Sequence, residues 1–171
     1  MTCAAIEATP VPLPVLEVAN HNAQRDNARA IRYHPAMVDL TRITPGLTGQ
    51  AEIIVTPDKT APFVGSGRIA VLATPVMINV IEAAALAAVE HLLPAGHQSL
   101  GIHLDVRHFA ATPVGLRVTA TAEVTAVDGR TIGFRVDVRD EREPIGGGTH
   151  ERVVVSVARF DERVQRKLRS G

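Results

Sequence analysis

The sequence predicts an α+β protein in which one long apolar helix packs against a curved antiparallel sheet. Three observations support this prediction. Residues 76–92 form a nearly continuous apolar segment without a helix breaker, and the chain that follows contains only strand-like segments. Asp128 and Gly129 form a strong hairpin signal between two of these segments. Long antiparallel strands that follow a single helix must wrap around it to bury its apolar surface.

The composition is that of a single globular domain. The chain has 171 residues, 46% of them hydrophobic, which is enough apolar material for a core. Lys plus Arg and Asp plus Glu both number 18, so the formal net charge is zero, and the chain has one Tyr, four Phe and no Trp. A neutral chain with few aromatic rings offers nucleic acids neither general attraction nor stacking surfaces. We therefore expect no nucleic-acid partner.

Residues 1–33 are predicted to be an extension outside the core domain, which then spans residues 34–171. They combine the alternating prolines of PVPLPV with a polar run and have no clear periodicity. The start of the chain lacks the positive charges and the unbroken apolar run of a secretory signal. The single cysteine, Cys3, forms no disulfide framework. We therefore expect a cytoplasmic protein.

The domain is predicted to open with two short strands. The first is AEIIVT, residues 51–56, and the second is RIAVLA, residues 68–73. The segment between them, residues 57–67, carries the turn-forming residues of a loop. The second strand is expected to lead directly into the helix.

The central helix is predicted to begin at Thr74 and Pro75 and to end near residue 92. Threonine is a favoured N-cap and proline is favoured at the first helical position. Most sides of this helix should be buried, because few of its side chains are polar and five are alanines, which let the sheet approach closely. Residues 69–89 are long enough to span a bilayer, but placing Glu82 inside it would cost about 2.5–3.5 kcal/mol. We therefore expect no membrane contact.

Four strands are predicted after the helix, and the chain is expected to end in a solvated tail. The strands are residues 99–110, 114–127, 130–141 and 149–160, with a loop, EPIGGG, before the last one. The final segment, FDERVQRKLRSG, is short, amphiphilic and basic. Contact with a phosphate-bearing ligand is the alternative interpretation of this tail.

Glu82 is the first candidate for a catalytic residue, because its neighbours in the predicted helix are apolar. An ionised carboxylate in apolar surroundings is costly unless a partner compensates it. The alternative is a solvated stripe, since Asn79 and Glu82 are three residues apart and share one face of a helix. The residues alone leave both interpretations open.

His108 is the second candidate. Strand alternation places it on the same face as Leu104 and Val106, which is the inward face. A lone inward histidine is more often a core residue than a catalytic one, so both roles stay open.

No metal site or cofactor is predicted. His103 and Asp105 are two apart on the opposite face of the same strand and could both bind a metal ion. No clear third ligand follows by spacing, although His150 and Glu151 occur later in the chain.

Thr74 and Gly101 are further candidates, each with a simpler structural interpretation. A threonine that caps a helix needs no other role, although a hydroxyl at a helix start lies where backbone N–H groups favour a developing oxyanion. Pro75 weakens that site because it has no N–H. Gly101 could let a backbone N–H approach a ligand, or could mark a kink in a strand.

Five sequence blocks together resemble the hotdog-fold thioesterases of the fluoroacetyl-CoA thioesterase type. The blocks are VTPDKTAP, ATPVMINVIEAAA, SLGIHLDVRHFAATPVG, AEVTAVDGR and IGGGTHERVVV, and the resemblance covers about residues 46–171. That family has a threonine before the central helix, a glutamate eight residues later, a histidine a further 26 residues on, and a glycine seven before the histidine. Thr74, Glu82, His108 and Gly101 stand at these intervals.

The resemblance implies a hotdog fold, hydrolysis of an acyl-CoA thioester and a homodimer. It assigns carbonyl polarisation to the Gly101 backbone N–H, attack or water activation to Glu82, proton transfer to His108, and positioning or attack to Thr74. Eight helical residues separate Thr74 from Glu82 by about 12 Å. We therefore expect a site at the dimer interface, to which one chain contributes the helix start and either that chain or its partner contributes Glu82.

Two departures from the family argue against fluoroacetyl specificity. Pro75 replaces a more flexible residue, and residues 68–72 lack the aromatic side chains that close the acyl pocket. A pocket for a small or medium aliphatic acyl group is predicted instead, lined by Ile69, Val71, Val76 and Val80. A non-catalytic acyl-CoA-binding hotdog protein is the alternative function, and a hotdog hydratase is a third.

Overall fold

In the part of the chain that the structure describes, five antiparallel strands form one sheet in the order β1-β3-β4-β5-β2. The structure, a computed structural model, describes residues 38–169. The strands are β1 (Thr48–Ile54), β2 (His97–His108), β3 (Arg117–Asp128), β4 (Thr131–Asp140) and β5 (Pro144–Ser156). The predicted extension, residues 1–33, lies outside the described residues. The sheet has β1 at one edge and β2 at the other.

Within the described residues, three helices accompany the sheet, and the central one fills its concave side. They are α1 (Ala61–Val64), α2 (Thr74–Val89) and α3 (Val157–Arg169), and a 3-10 turn, Glu90–Leu92, extends α2. The sheet wraps around α2, which contacts β1, β2, β3 and β4. This arrangement confirms the predicted fold class.

One face of α2 forms the core with the inward side chains of the sheet. Its buried residues are Met77, Val80, Ile81, Ala84, Ala85, Ala88 and Val89. The opposite face stays partly open, with Asn79, Ala83 and Ala87 exposed. Strand β1 lies directly against the buried face of α2, where a Cβ on Gly49 would collide with the backbone of Ala84 and Ala88. Only a glycine lets the strand lie this close to the helix.

One helix in the described part of the chain, Thr74–Leu92, is long and apolar enough to cross a membrane by length and composition. Core helices of globular domains also meet that criterion, and 39% of the apolar window is buried within the protein. The expectation of no membrane contact stays a prediction.

The predicted hairpin at Asp128 and Gly129 is confirmed. Strand β3 ends at Asp128 and β4 begins at Thr131, so the turn consists of Gly129 and Arg130. Gly129 has a φ of +57°, in the left-handed region that glycine enters without strain. The Asp-Gly signal therefore located this turn correctly.

Two local predictions before the helix are wrong. Residues 68–73 form no strand and make only isolated bridges, Thr60 to Leu72 and Val71 to Pro113. The two bridges connect the segment to different parts of the chain, Thr60 before it and Pro113 after it, so no continuous ladder can form. The predicted loop at residues 57–67 contains a 3-10 turn, Pro57–Lys59, and helix α1.

The prediction of a loop at EPIGGG, residues 143–148, is also partly wrong, because β5 already begins at Pro144. The reason is the close contact with β2. A Cβ on Gly146 would come within 2.7 Å of the Arg107 carbonyl oxygen, and a Cβ on Gly148 would collide with the backbone of Asp105. The glycines serve close strand packing here rather than a turn.

The chain end that was predicted as a solvated tail folds into α3. From Ala158 to Arg169 its side chains are exposed, including Phe160, Val164 and Leu168.

Candidate active site

Thr74 and His108 lie together at the start of α2. The Thr74 Oγ1 atom is 2.9 Å from Nδ1 of His108, the last residue of β2. The predicted N-cap role of Thr74 is wrong, because Ala73 occupies that position with an extended backbone and Thr74 is the first helical residue. The hydroxyl is therefore bonded to a histidine instead of a backbone N–H.

His108 is half-buried, on the inward face of β2 with Leu104 and Val106, as strand alternation predicts. Burial lowers the pKa of His108, and the nearby backbone of Ala110 opposes this effect in part. The ring is consequently neutral near pH 7 and can accept a proton. Among the described residues, its buried Nε2 atom has no hydrogen-bond partner. A buried nitrogen of this kind is well suited to a reacting group.

Glu82 and Gly101 form a second contact farther along α2. The Glu82 side chain is 38% exposed, and a Cβ on Gly101 would collide with its Oε1 atom. The β2–β5 register shifts between Gly101 and His103, which leaves Ile102 as the extra residue of a β-bulge. The glycine and the bulge together bring the strand backbone against the carboxylate.

The structure therefore groups the four predicted catalytic residues into two pairs. Thr74 and Glu82 are eight residues apart on one continuous helix, which is about 12 Å along its axis. His108 and Gly101 are seven residues apart on one extended strand, an even longer separation of roughly 20 Å. One protomer therefore does not bring all four residues to one carbonyl group.

Sequence reasoning missed the residues that surround Glu82. Arg152 of β5 is buried, with 5% of its side chain exposed, and its Nη1 atom is 3.8 Å from Glu82 Oε1. Its Nε donates to Ser99 Oγ at 2.9 Å and its Nη2 donates to the Ser99 carbonyl at 2.8 Å. Ser99 Oγ donates in turn to Glu90 Oε2 at 2.7 Å. Strand alternation through Val154 would have placed Arg152 on the inward face.

His150, also buried, completes these surroundings. Its Nδ1 is 2.9 Å from the His103 carbonyl, its Nε2 is 3.4 Å from Arg152 Nη1, and its ring stacks on Phe134. Burial lowers the pKa of His150, Arg152 lowers it further, and the His103 carbonyl and the Glu82 and Glu151 carboxylates oppose the change. A neutral His150 can accept a hydrogen bond from Arg152.

The four predicted pocket residues separate into two groups. Val76 and Val80 line a cavity of about 350 Å³ between α2 and β1, together with Ala51, Ile53 and Ala83 and the polar residues Glu52, Asp58, Lys59 and Asn79. Val71 is half-buried and Ile69 is 73% exposed, and neither belongs to the lining of this cavity. The alternative interpretation of Asn79 and Glu82 as a solvated stripe of the helix is only partly correct, since Asn79 is exposed but Glu82 is half-buried.

The candidate metal ligands do not all lie on one face of the sheet, although Glu151 of β5 is the register partner of His103. His103 and Asp105 are exposed on the outer face of β2, whereas His150 is buried on the inner side of the sheet. Within residues 38–169, no group of three His, Cys, Asp or Glu side chains could hold a metal ion.

Comparisons with known proteins show similarity to thioesterases. Residues 55–158 match the model of the family described as fluoroacetyl-CoA-specific thioesterase. The fluoroacetyl-CoA thioesterase of Streptantibioticus cattleyicolor is 43% identical over 101 residues, which are 59% of this chain and 73% of that protein. A solved structure of a fluoroacetyl-CoA thioesterase is 36% identical, with a TM-score of 0.70, over 73% of this chain and 97% of that chain.

A more distant similarity points in the same direction. A thioesterase superfamily member from Thermus thermophilus is 27% identical with a TM-score of 0.69, over 75% of this chain and 98% of that chain. A hot-dog-like protein from Thermanaerovibrio acidaminovorans is 25% identical with a TM-score of 0.67, over 73% of this chain and 93% of that chain. The chain thus has the hotdog fold and belongs to the fluoroacetyl-CoA-specific thioesterase family of thioester hydrolases.

Proposed function

We propose that this enzyme hydrolyses small or medium acyl-CoA thioesters at a site between two subunits. The observation that carries the proposal is the 2.9 Å contact between Thr74 Oγ1 and His108 Nδ1 at the start of α2. This contact joins a hydroxyl to a histidine that is neutral near pH 7, which is the arrangement that proton transfer to and from an attacking group requires.

The reaction needs a polarised thioester carbonyl, a nucleophile at its carbon and a proton for the leaving thiolate. The Gly101 backbone N–H polarises the carbonyl, and Glu82, beside it, attacks or activates water. His108 passes protons between the nucleophile and the CoA thiolate when the C–S bond breaks, and Thr74 positions His108 or attacks. A single-turnover reaction in ¹⁸O-labelled water tests attack by Glu82, because hydrolysis of an acyl–Glu82 anhydride at the Glu82 carbon leaves label in that carboxylate, whereas direct attack by water leaves none. An acyl–Thr74 ester is cleaved at its acyl carbon and leaves no label in Thr74, so trapping of the ester by an acid quench tests that route.

The cavity between α2 and β1 supports the proposed substrate size. Its volume of about 350 Å³ lies near the lower end of the roughly 300–1,000 Å³ range of small-molecule pockets. Val76, Val80 and Ala51 give it an aliphatic wall, without an aromatic side chain in its lining. A short aliphatic acyl group matches that wall better than a long or aromatic one.

Two observations support a site that two subunits complete. The two residue pairs lie too far apart in one protomer to act on one carbonyl carbon. Strand β2, which carries Gly101 and His108, is an edge strand, and within residues 38–169 no other strand pairs with its outer side. Edge strands of this length tend to pair with another chain, and Ile102 on β2 and Phe109 just beyond it are 54% and 64% exposed. We therefore assign Thr74 and His108 to one subunit and Glu82 and Gly101 to its partner.

The first experiment measures free-thiol release from a series of acyl-CoAs of increasing chain length. We expect wild-type activity to be highest with short or medium chains and to fall about 10²–10⁴-fold in Glu82→Ala and in His108→Ala. No release from any substrate would favour the acyl-CoA-binding alternative. Equal release by all three proteins would contradict the assigned site.

The second experiment tests the shared site by mixing the two inactive variants. In a mixed dimer, one site loses both Glu82 and His108, whereas the other keeps both. After unfolding and refolding together in equal amounts, half of the dimers are mixed, so about a quarter of the wild-type activity should return. A site built within one chain would give no recovery. Refolding each variant alone is the control.

A further inference from the structure

We propose that Ser99 and Glu90 are positioning residues that hold the Arg152 guanidinium against the Glu82 carboxylate. This inference rests on the proposed function, in which Glu82 acts on the thioester. Neither residue touches the reacting atoms, and both act through Arg152. The chain of contacts crosses three elements, from the turn after α2 through β2 to β5.

The first link fixes Ser99. The Glu90 carboxylate accepts the Ser99 backbone N–H at 3.2 Å and its hydroxyl at 2.7 Å. Ser99 is only 3% exposed, so water does not compete for these contacts. A carboxylate that accepts two hydrogen bonds from one buried residue leaves that residue little freedom.

The second link fixes Arg152. Because the Ser99 hydroxyl donates to Glu90, its oxygen lone pairs stay available for Arg152 Nε, at 2.9 Å. The Ser99 carbonyl accepts from Arg152 Nη2 at 2.8 Å. Two contacts from one residue set the plane of the guanidinium, and its remaining nitrogen, Nη1, then points to Glu82 Oε1 and to His150 Nε2.

Charge explains why the buried guanidinium needs both glutamates. Burial lowers the pKa of Arg152, and Glu82 and Glu90 oppose that effect. A buried charge is tolerated only when partners compensate it. Glu90 compensates the charge of Arg152 without taking part in the reaction. It also fixes the Arg152 guanidinium through Ser99. Glu82 can then be held 3.8 Å away without a direct bond that would lock its carboxylate.

Loss of either positioning residue is expected to lower the turnover rate rather than the affinity for the substrate. A reacting group displaced by about 1 Å can lose two orders of magnitude in rate, even when binding is unchanged. We expect Ser99→Ala and Glu90→Ala to lower kcat about tenfold and to leave KM for the best acyl-CoA within about twofold. Glu90→Gln keeps one acceptor oxygen for Ser99 and should recover part of the loss. Thr41→Ala is the matched control, since it also removes a hydroxyl that donates to a carboxylate, that of Asp39, but on the surface.

A double-mutant cycle with Glu82→Gln separates positioning from simple loss of structure. If Ser99 acts through Glu82, Ser99→Ala should lower kcat in the wild-type background and change it by less than about twofold in the Glu82→Gln background. An equal reduction in both backgrounds would overturn the inference. If Ser99→Ala fails to fold, as a melting curve would show, Glu90→Ala takes its place in the cycle.

Failure of the proposed function gives a different result. If Glu82→Gln alone retains full activity, Glu82 is not catalytic, and both the assigned site and the positioning inference are wrong. If Glu82→Gln is impaired but Ser99→Ala and Glu90→Ala are fully active, only the positioning inference is wrong.

Discussion

The two halves of the proposed site are built on different physical principles. At the start of α2, Thr74 and His108 form one direct contact between two neutral groups. Near the middle of the helix, Glu82 lies against a glycine backbone and faces a buried guanidinium that other residues hold. The first half needs a correct protonation state, whereas the second needs correct placement of charge. Substitutions should therefore affect the two halves in different ways.

Among substitutions that keep both Glu82 and His108, the largest effect is expected from crowding the second half. In Gly101→Ala, the new Cβ would collide with Glu82 Oε1 and come within 3.1 Å of His150 Cε1. The end of a glutamate side chain can move, so the fold should survive while the carboxylate is displaced, and kcat should fall about 100-fold. Steady-state kinetics with a melting curve checks this expectation. In the control, Gly133→Ala on β4, the added Cβ meets only an ordinary contact at 3.4 Å.

A moderate effect is expected from removing the hydroxyl in the first half. Thr74→Val keeps the shape of the side chain but loses the contact with His108, which is worth about 1 kcal/mol, so the rate should fall about tenfold or less. Thr74→Ser keeps the hydroxyl and should stay close to wild type. A loss of more than about 1,000-fold in Thr74→Val would instead indicate that Thr74 is the attacking nucleophile. Full activity in Thr74→Val would contradict the role of the pair.

A smaller effect is expected in the pH dependence of activity. Burial lowers the pKa of His108 below its ordinary value of about 6.5, so the neutral ring persists into mildly acidic solution. The profile of kcat/KM should therefore fall on the acidic side with a midpoint below about 6.5. Measurement in His108→Gln, in which this decline should be lost, provides the control. A midpoint clearly above 6.5 would contradict a buried, neutral His108.

The smallest effect is expected in stability, and both halves should contribute to it. Burial lowers the folded-state pKa of His108 and of His150, so below about pH 6.5 the unfolded chain binds more protons than the folded one. Their contribution to stability is complete above that pH and is lost as the pH falls toward their lowered pKa values. Urea unfolding at pH 7.5 and 5.5 should show this decline. His150→Gln should reduce this decline, and an unchanged decline in His150→Gln would contradict the contribution of His150.

The sequence predicts the contact in the first half of the proposed site more completely than the contacts in the second. The intervals between Thr74, Glu82, Gly101 and His108 are visible in the chain, and alternation along a strand gives the inward direction of His108. Arg152 and Ser99 are 53 residues apart, and no local pattern joins them. A contact of that kind depends on which strands are neighbours, and the pairing of β2 with β5 is set by the whole sheet.

The errors in the predicted elements have a similar origin. The segment at residues 68–73 is apolar enough for a strand, but the sheet offers it no continuous partner. The glycines of EPIGGG suggest a turn, but Gly146 and Gly148 lie close to the backbone of β2, and Gly147 lies close to that of β4. Both cases show that composition gives the local preference of a segment, whereas its neighbours decide the outcome. The helix and the Asp-Gly turn were predicted well because their signals are local.

The contact at Gly49 limits how this enzyme can change during evolution. Because β1 touches the backbone of α2 there, any larger residue would push the helix away from the sheet at Ala84 and Ala88. Glu82 and Glu90 flank these alanines on the same helix, so the displacement would reach both. A substitution at the far edge of the sheet could thus abolish turnover without touching the substrate. Gly49 should consequently tolerate less variation than many of the residues that line the cavity.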